Sequence, residues 1–84
     1  MNAATHHEFR AAVAVLNRLS RRIENDAAER VMRLPESRYS DQHATRIEAQ
    51  TMEQTRRISA VIAQLESCRD ELQQQRRHRV THRV

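Results

Sequence analysis

The chain has 84 residues and a formal net charge of +4, with no glycine, one proline, one tyrosine and one phenylalanine. Alanine, leucine, glutamate, glutamine and arginine dominate, a composition that favours helices over sheets and tight turns. The lack of glycine excludes the glycine-rich loops that cradle phosphates. A domain this short buries little surface by itself, so we expect a partner or a second copy to complete it.

The first predicted helix runs from about residue 6 to residue 33. Thr5 and Glu8 have the spacing of a capping box at its start. An apolar stripe with steps of three or four residues follows and consists of Phe9, Ala12, Leu16, Leu19, Ile23, Ala27, Val31 and Leu34. Pro35 should end this helix, because proline lacks the backbone N–H and disfavours a helical conformation in the preceding residue.

The second predicted helix runs from about residue 41 to residue 75, with Ser40 or Asp41 as its cap. Its heptad stripe consists of Ala44, Ile47, Thr51, Gln54, Ile58, Val61, Leu65, Cys68 and Leu72. Gln54 either selects the register of this stripe or is a tolerated boundary residue, and Cys68 is expected to pack as a small hydrophobe.

Two long helices joined by a short loop predict an all-α fold, an antiparallel two-helix hairpin. We expect dimerisation or a partner protein to complete a four-helix arrangement. The predicted oligomer seam consists of Leu16, Ile23, Ile58, Val61, Leu65 and Leu72.

The positive charge is concentrated at the C-terminal end. Residues 76–84 hold four of the fifteen cationic residues, all of them arginine, and none of the eleven acids. The rest of the chain is therefore neutral, and we expect a disordered basic tail after a neutral helical body.

Apolar runs and the single cysteine indicate where the protein resides. The longest apolar run, Ala11 to Leu16, is too short to span a membrane. The N-terminal sequence lacks the pattern of a signal peptide, and Cys68 cannot form an internal disulfide. The sequence thus predicts a cytoplasmic protein that does not enter membranes.

No group of residues suggests catalysis, a cofactor or a metal site. Asp70 and Glu71 are adjacent on a helix and point apart, so they cannot flank one substrate. His78 and His82 have the spacing of two metal ligands, but no further ligand stands near them. A small helical hairpin also offers little concave surface for a substrate. We therefore expect a binding protein and not an enzyme.

The residues around the break resemble a known family. The first helix contains Arg21-Arg22-Ile23-Glu24, the break contains Leu34-Pro35-Glu36 with Tyr39 soon after, and the second helix begins with Arg46-Ile47-Glu48-Ala49. Over roughly residues 21–65 this order resembles the TraM-type quorum-sensing antiactivators, including the smaller QseM-like ones. The resemblance implies a helical homodimer that binds activators of the LuxR and TraR type and thereby represses conjugative or mobile-element transfer.

The partner is expected to contact the break and the start of the second helix. Tyr39 is the only tyrosine, and an amphipathic ring in a loop suits an anchor, although Leu34 and Tyr39 could equally plug the end of the helix pair. Acids near the turn favour a basic partner. The predicted partner-binding residues are Leu34, Pro35, Glu36, Arg38, Tyr39, Ile47, Glu48 and Met52.

Two other functions compete with this one. The arginine-rich tail suits a nucleic-acid accessory protein, such as a mobilisation factor, because it could bind phosphates through charge. The tail has no aromatic residue on which a base could stack, so direct DNA binding is not expected. A small helical secretion chaperone is the other alternative, and it would be recognised by copurification with a secreted helical protein.

Overall fold

The computed structural model describes the backbone of residues 3–82 and the side chains of residues 5–78. Helix α1 spans Ala3–Met32 and helix α2 spans Ser40–His82. The two helices pack side by side in opposite directions and form the predicted all-helical hairpin. Its Cα atoms extend over 73 × 19 × 7 Å, so the molecule is a single layer of two helices. Neither helix is long and apolar enough to cross a membrane.

The ends of α1 differ slightly from the prediction. The helix begins at Ala3, so Thr5 lies inside its first turn and the predicted capping box does not mark its start. At the other end the backbone N–H of Arg33 donates to the carbonyl of Glu29 (3.1 Å), and that of Leu34 donates to the carbonyl of Val31 (3.2 Å). The second bond spans three residues, which tightens the last turn just before Pro35.

Helix α2 is capped by Ser37, and not by Ser40 or Asp41 as predicted. The Ser37 side-chain oxygen accepts the backbone N–H of Tyr39 (3.2 Å), while the Ser40 side-chain oxygen accepts the backbone N–H of Ser37 (3.0 Å). This reciprocal pair has the geometry of a capping box in which serine takes the place of glutamate. The Ser40 hydroxyl also donates to the carbonyl of Pro35. The turn is therefore closed by side chains from both of its ends.

Helix α2 continues past the predicted boundary at residue 75 and reaches His82. Glutamine and arginine are good helix formers, and neither glycine nor proline interrupts this segment. The guanidinium carbon of Arg69 lies 4.7 Å from the centroid of the Phe9 ring. This contact places the start of α1 roughly beside residue 75, so the end of α2 extends beyond α1. Residues 83 and 84 of the predicted tail, and the side chains of residues 79–84, lie outside the described residues.

The interface between the helices consists of one stripe from each. Side chains that are buried or half-buried along it are Phe9, Val13, Leu16, Ser20, Ile23, Ala27 and Val31 in α1, and Ala44, Ile47, Thr51, Thr55, Ile58, Ile62, Leu65, Arg69 and Gln73 in α2. Among the described residues the most buried are Ala27 and Ile47, each still 8% exposed. The core is therefore thin, as expected for a single layer of two helices.

The register of the inward stripes departs from the prediction in both helices. In α1, Val13 and Ser20 face inward in place of Ala12 and Leu19. In α2 the step after Thr51 is four residues and not three, so the stripe passes through Thr55. From there to Gln73 it runs one residue later than predicted, except at two positions that both stripes share, Ile58 and Leu65.

Four residues of the predicted α2 stripe consequently leave the interface: Gln54, Val61, Cys68 and Leu72. Gln54 is exposed and cannot select the register of the hairpin. Val61 is also exposed, because Ile62 takes the inward position. The expected packing of Cys68 between the helices is wrong, since its side chain is exposed and Arg69 occupies the inward position instead.

Candidate binding surfaces

The break that connects the helices presents one aromatic ring to solvent. Tyr39 is 48% exposed. The Arg38 guanidinium stacks on its ring, 4.8 Å from the centroid, and donates a hydrogen bond to its hydroxyl oxygen (2.7 Å). The guanidinium therefore covers part of the ring and contacts its hydroxyl, while about half of the side chain stays open to a partner.

The predicted partner-binding residues divide into three exposed or half-exposed groups and one buried residue in the structure. Arg38 and Tyr39 form the exposed pair just described. Leu34 is half-buried and lines, with Pro35 and Glu36, a shallow hollow of about 300 Å³ under the turn. Glu48 and Met52 lie on the exposed flank of α2. Ile47 is buried between the helices, so it supports the hairpin and offers almost no surface to a partner.

A concave feature lies next to the turn, on one face of the hairpin. We call it the methionine groove; it has a volume of about 570 Å³ and is lined by Glu24, Ala27, Ala28, Val31, Met32, Glu48, Thr51, Met52 and Thr55. Small side chains, Ala27 and Ala28, lie on the α1 side of the groove. Val31 also lines the hollow under the turn, so the two depressions adjoin.

Two methionines stand at the edges of this groove. Met32 is 84% exposed and Met52 is 71% exposed, more than any other large apolar side chain that the structure describes. An exposed thioether on a flexible unbranched chain adapts to irregular apolar surfaces, and methionine is over-used at binding surfaces for that reason. Such exposure is unfavourable in water unless a partner covers it.

Acidic residues occupy both walls of the methionine groove. Glu24 belongs to α1 and Glu48 to α2, and both side chains are exposed. Among the side chains that the structure describes, neither carboxylate forms an ion pair; the recorded pairs involve Glu29, Glu53 and Asp70. The groove therefore combines apolar surface with two carboxylates that no described arginine neutralises.

A cluster of charges on α2 shows the opposite case, in which arginines pair with a carboxylate. The Glu53 carboxylate accepts hydrogen bonds from Arg56 (2.8 and 2.9 Å) and from Arg57 (3.3 Å). The hydrogen bond from Arg56 lowers the pKa of Glu53 below its ordinary value, and the charges of both arginines act in the same direction. The pairs are exposed, so they contribute little to stability.

A second set of exposed apolar side chains faces away from the methionine groove. Each residue advances by about 100° around a helix. Around the axis of α1, Ala28 lies roughly 100° from the inward stripe on one side. Val15 and Leu19 lie roughly 80–120° from that stripe on the other side. In α2, Val61 and Leu72 likewise lie on the side of the inward stripe that is opposite to Met52. We call this set the opposite face; its members Val15, Leu19, Val61 and Leu72 are each about half exposed, and Cys68 lies among them.

The predicted oligomer seam is divided by this geometry. Leu16, Ile23, Ile58 and Leu65 are half-buried between the two helices of one chain. Val61 and Leu72 instead belong to the opposite face and remain available to a second copy. The sequence pattern had combined residues of the hairpin interface with residues of its outer surface.

Sequence reasoning identified Glu48 and Met52 but missed the α1 side of the methionine groove. Glu24, Ala28 and Met32 repeat every four residues along one flank of α1, and this spacing was visible in the sequence. What was missing was how the two helices face each other, which places this flank and the Met52 flank of α2 on the same face.

Comparisons with protein-family models, with curated proteins and with solved structures return no match for this chain. Its function therefore has to be inferred from its own residues and surfaces.

Proposed function

We propose that this chain is a non-catalytic antiactivator, which binds a transcriptional activator of the LuxR and TraR type and represses conjugative or mobile-element transfer. The observation that carries the proposal is the methionine groove: exposed apolar surface with acidic walls, adjoining the turn. The identity of the activator class comes from the resemblance of residues 21–65 to TraM-type antiactivators.

Inhibition of this kind needs a surface that binds the activator, and it needs no catalytic residues. DNA-binding domains are positively charged, so a protein with an acidic, apolar groove can cover such a domain or hold it away from a promoter. Because transcriptional activators act in the cytoplasm of bacteria, the proposal places this protein there as well. Within the described residues no cluster of histidine, cysteine and acidic side chains could hold a metal ion.

The proposal is tested with a purified LuxR-type activator from the same cell and its operator DNA. Addition of the protein should abolish the shift of the operator fragment in a gel, and the two proteins should elute together in size-exclusion chromatography. An activator that binds its operator equally well at a large molar excess of this protein would contradict the proposal.

A second candidate function has one observation in its favour. The end of α2 extends beyond α1 and carries Arg76 and Arg77, so a basic helical end projects from the hairpin. A nucleic-acid accessory protein could use such an end to bind phosphates. DNA binding that weakens steeply with salt and is lost on deletion of residues 76–84 would favour this function over inhibition of an activator.

A further inference from the structure

We propose that the methionine groove binds one amphipathic α-helix of the partner, whose apolar stripe carries lysine or arginine on both of its flanks. The inference rests on the proposed function for the class of partner and deepens it by naming the element that is bound. It is carried by the shape of the groove, by its two methionines and by the positions of its two acids.

The dimensions of the groove suit a short helix. Met52 lies towards the free end of the hairpin and Met32 towards its turn, roughly 10 Å apart along the helix axes. This length corresponds to about two turns of α-helix. The alanines of α1 leave room there for another helix to approach, while the methionines can close around its apolar residues.

The charges indicate which helix fits. Glu24 and Glu48 stand on opposite walls, so a helix lying between them presents one flank to each. Basic residues on both flanks would pair with carboxylates that no described side chain neutralises. Acidic residues at the same positions would be repelled, so the two walls select by charge as well as by fit.

The same charges argue against a second copy of this chain in the groove. A two-fold dimer places the same surface of both copies face to face. Pairing through the methionine groove would bring Glu24 and Glu48 of one copy close to the same two carboxylates of the other. Like charges in a partly desolvated interface repel, so this pairing is unfavourable.

The experiment selects ligands for the intact chain from a displayed library of helix-constrained peptides with randomised flanking positions. We expect enriched peptides to share apolar residues at helical spacing with lysine or arginine on both flanks. An enriched peptide, added to protein labelled with ¹³C in its methionine methyl groups, should shift the Met32 and Met52 signals. Glu24→Gln with Glu48→Gln should weaken its binding about tenfold at low salt, and less as salt rises.

The matched control is the double variant Glu8→Gln with Glu71→Gln, which removes one acid from each helix outside the groove and should bind like the unchanged protein. Enriched peptides without basic flanks, unshifted methionine signals, or equal binding by the Glu24 and Glu48 double variant would each overturn the inference. Methionine signals that move with protein concentration alone would overturn it too, because they would show a second copy in the groove.

Failure of this inference can be distinguished from failure of the proposed function. If peptides bind as described but no LuxR-type activator does, the antiactivator role fails alone. If an activator binds the Glu24 and Glu48 double variant as tightly as it binds the unchanged protein, the role stands and the groove inference fails.

Discussion

Single residues at the turn decide where the second helix begins. Ser37 and Ser40 exchange side-chain and backbone hydrogen bonds, and the Ser40 hydroxyl also reaches the carbonyl of Pro35. In a chain without glycine, no residue can take a positive φ cheaply, and none of the described residues has one. Proline and two serines therefore form this turn, where other proteins often use glycine.

Replacement of Ser37 by alanine removes the cap of α2. We expect Ser37→Ala to lower the free energy of unfolding by about 1 kcal/mol, the usual effect of losing such a cap. The measurement is urea unfolding followed by circular dichroism. Ser59→Ala, at an exposed position in the middle of α2, is the matched control and should leave stability unchanged or slightly higher, because alanine is the better helix former. Equal stability of the two variants would mean that Ser37 is not the cap.

Substitution of Tyr39 distinguishes a role in binding the partner from a role in stabilising the hairpin. Because about half of the ring is exposed and its described partner is the exposed Arg38, Tyr39→Ala should barely change the melting temperature. If the ring anchors a LuxR-type activator, affinity should fall at least tenfold, or about 1.4 kcal/mol. Both quantities are measured on the same preparation by thermal melting and calorimetric titration. A lowered melting temperature with retained affinity would instead show that Tyr39 closes the end of the helix pair.

At the scale of the elements, the sequence predicted two helices and a break at Pro35 because these depend on local chemistry. Register was less predictable. Gln54 and Thr55 are both polar, and Val61 and Ile62 are both apolar, so hydrophobicity does not favour one member of either pair. The structure resolves this with two consecutive four-residue steps, Ile47 to Thr51 to Thr55, which a strict heptad does not contain. Which flank of α1 joins the Met52 flank of α2 to form the groove was unpredictable for a related reason, because it depends on how the two helices face each other.

The observed register makes a specific prediction about α2. Thr55 is half-buried against α1, whereas its neighbour Gln54 is exposed. Thr55→Leu should therefore raise the free energy of unfolding by about 1 kcal/mol, because it buries additional apolar carbon. Gln54→Leu introduces the same side chain one residue earlier and should have little effect. Urea unfolding of both variants checks the register, and a reversed order of stabilities would support the heptad that the sequence suggested.

At the scale of the whole molecule, a single layer of two helices leaves too much apolar surface in water. The Cα atoms span only 7 Å in the thinnest direction, and the two most buried side chains that the structure describes, Ala27 and Ile47, are each still 8% exposed. Exposed apolar residues lie on both faces, and the methionine groove has an acid on each of its two walls. These features suggest separate uses: the groove for a basic partner helix and the opposite face for a second copy of the chain.

The dimer is the prediction that follows for the whole molecule. If two copies pack through the opposite face, folding is coupled to association and stability depends on protein concentration. A tenfold increase in concentration contributes about 1.4 kcal/mol per dimer, which for two chains of this size unfolding together raises the melting temperature by roughly 3–6 °C. Sedimentation equilibrium should give the mass of a dimer.

Leu19→Asp places a charge in the opposite face and should produce a monomer of lower melting temperature. Met52→Asp makes the same kind of change on the other side and should leave the dimer intact. A monomeric mass with a melting temperature that is independent of concentration would show that the hairpin is stable alone and that the opposite face has another occupant.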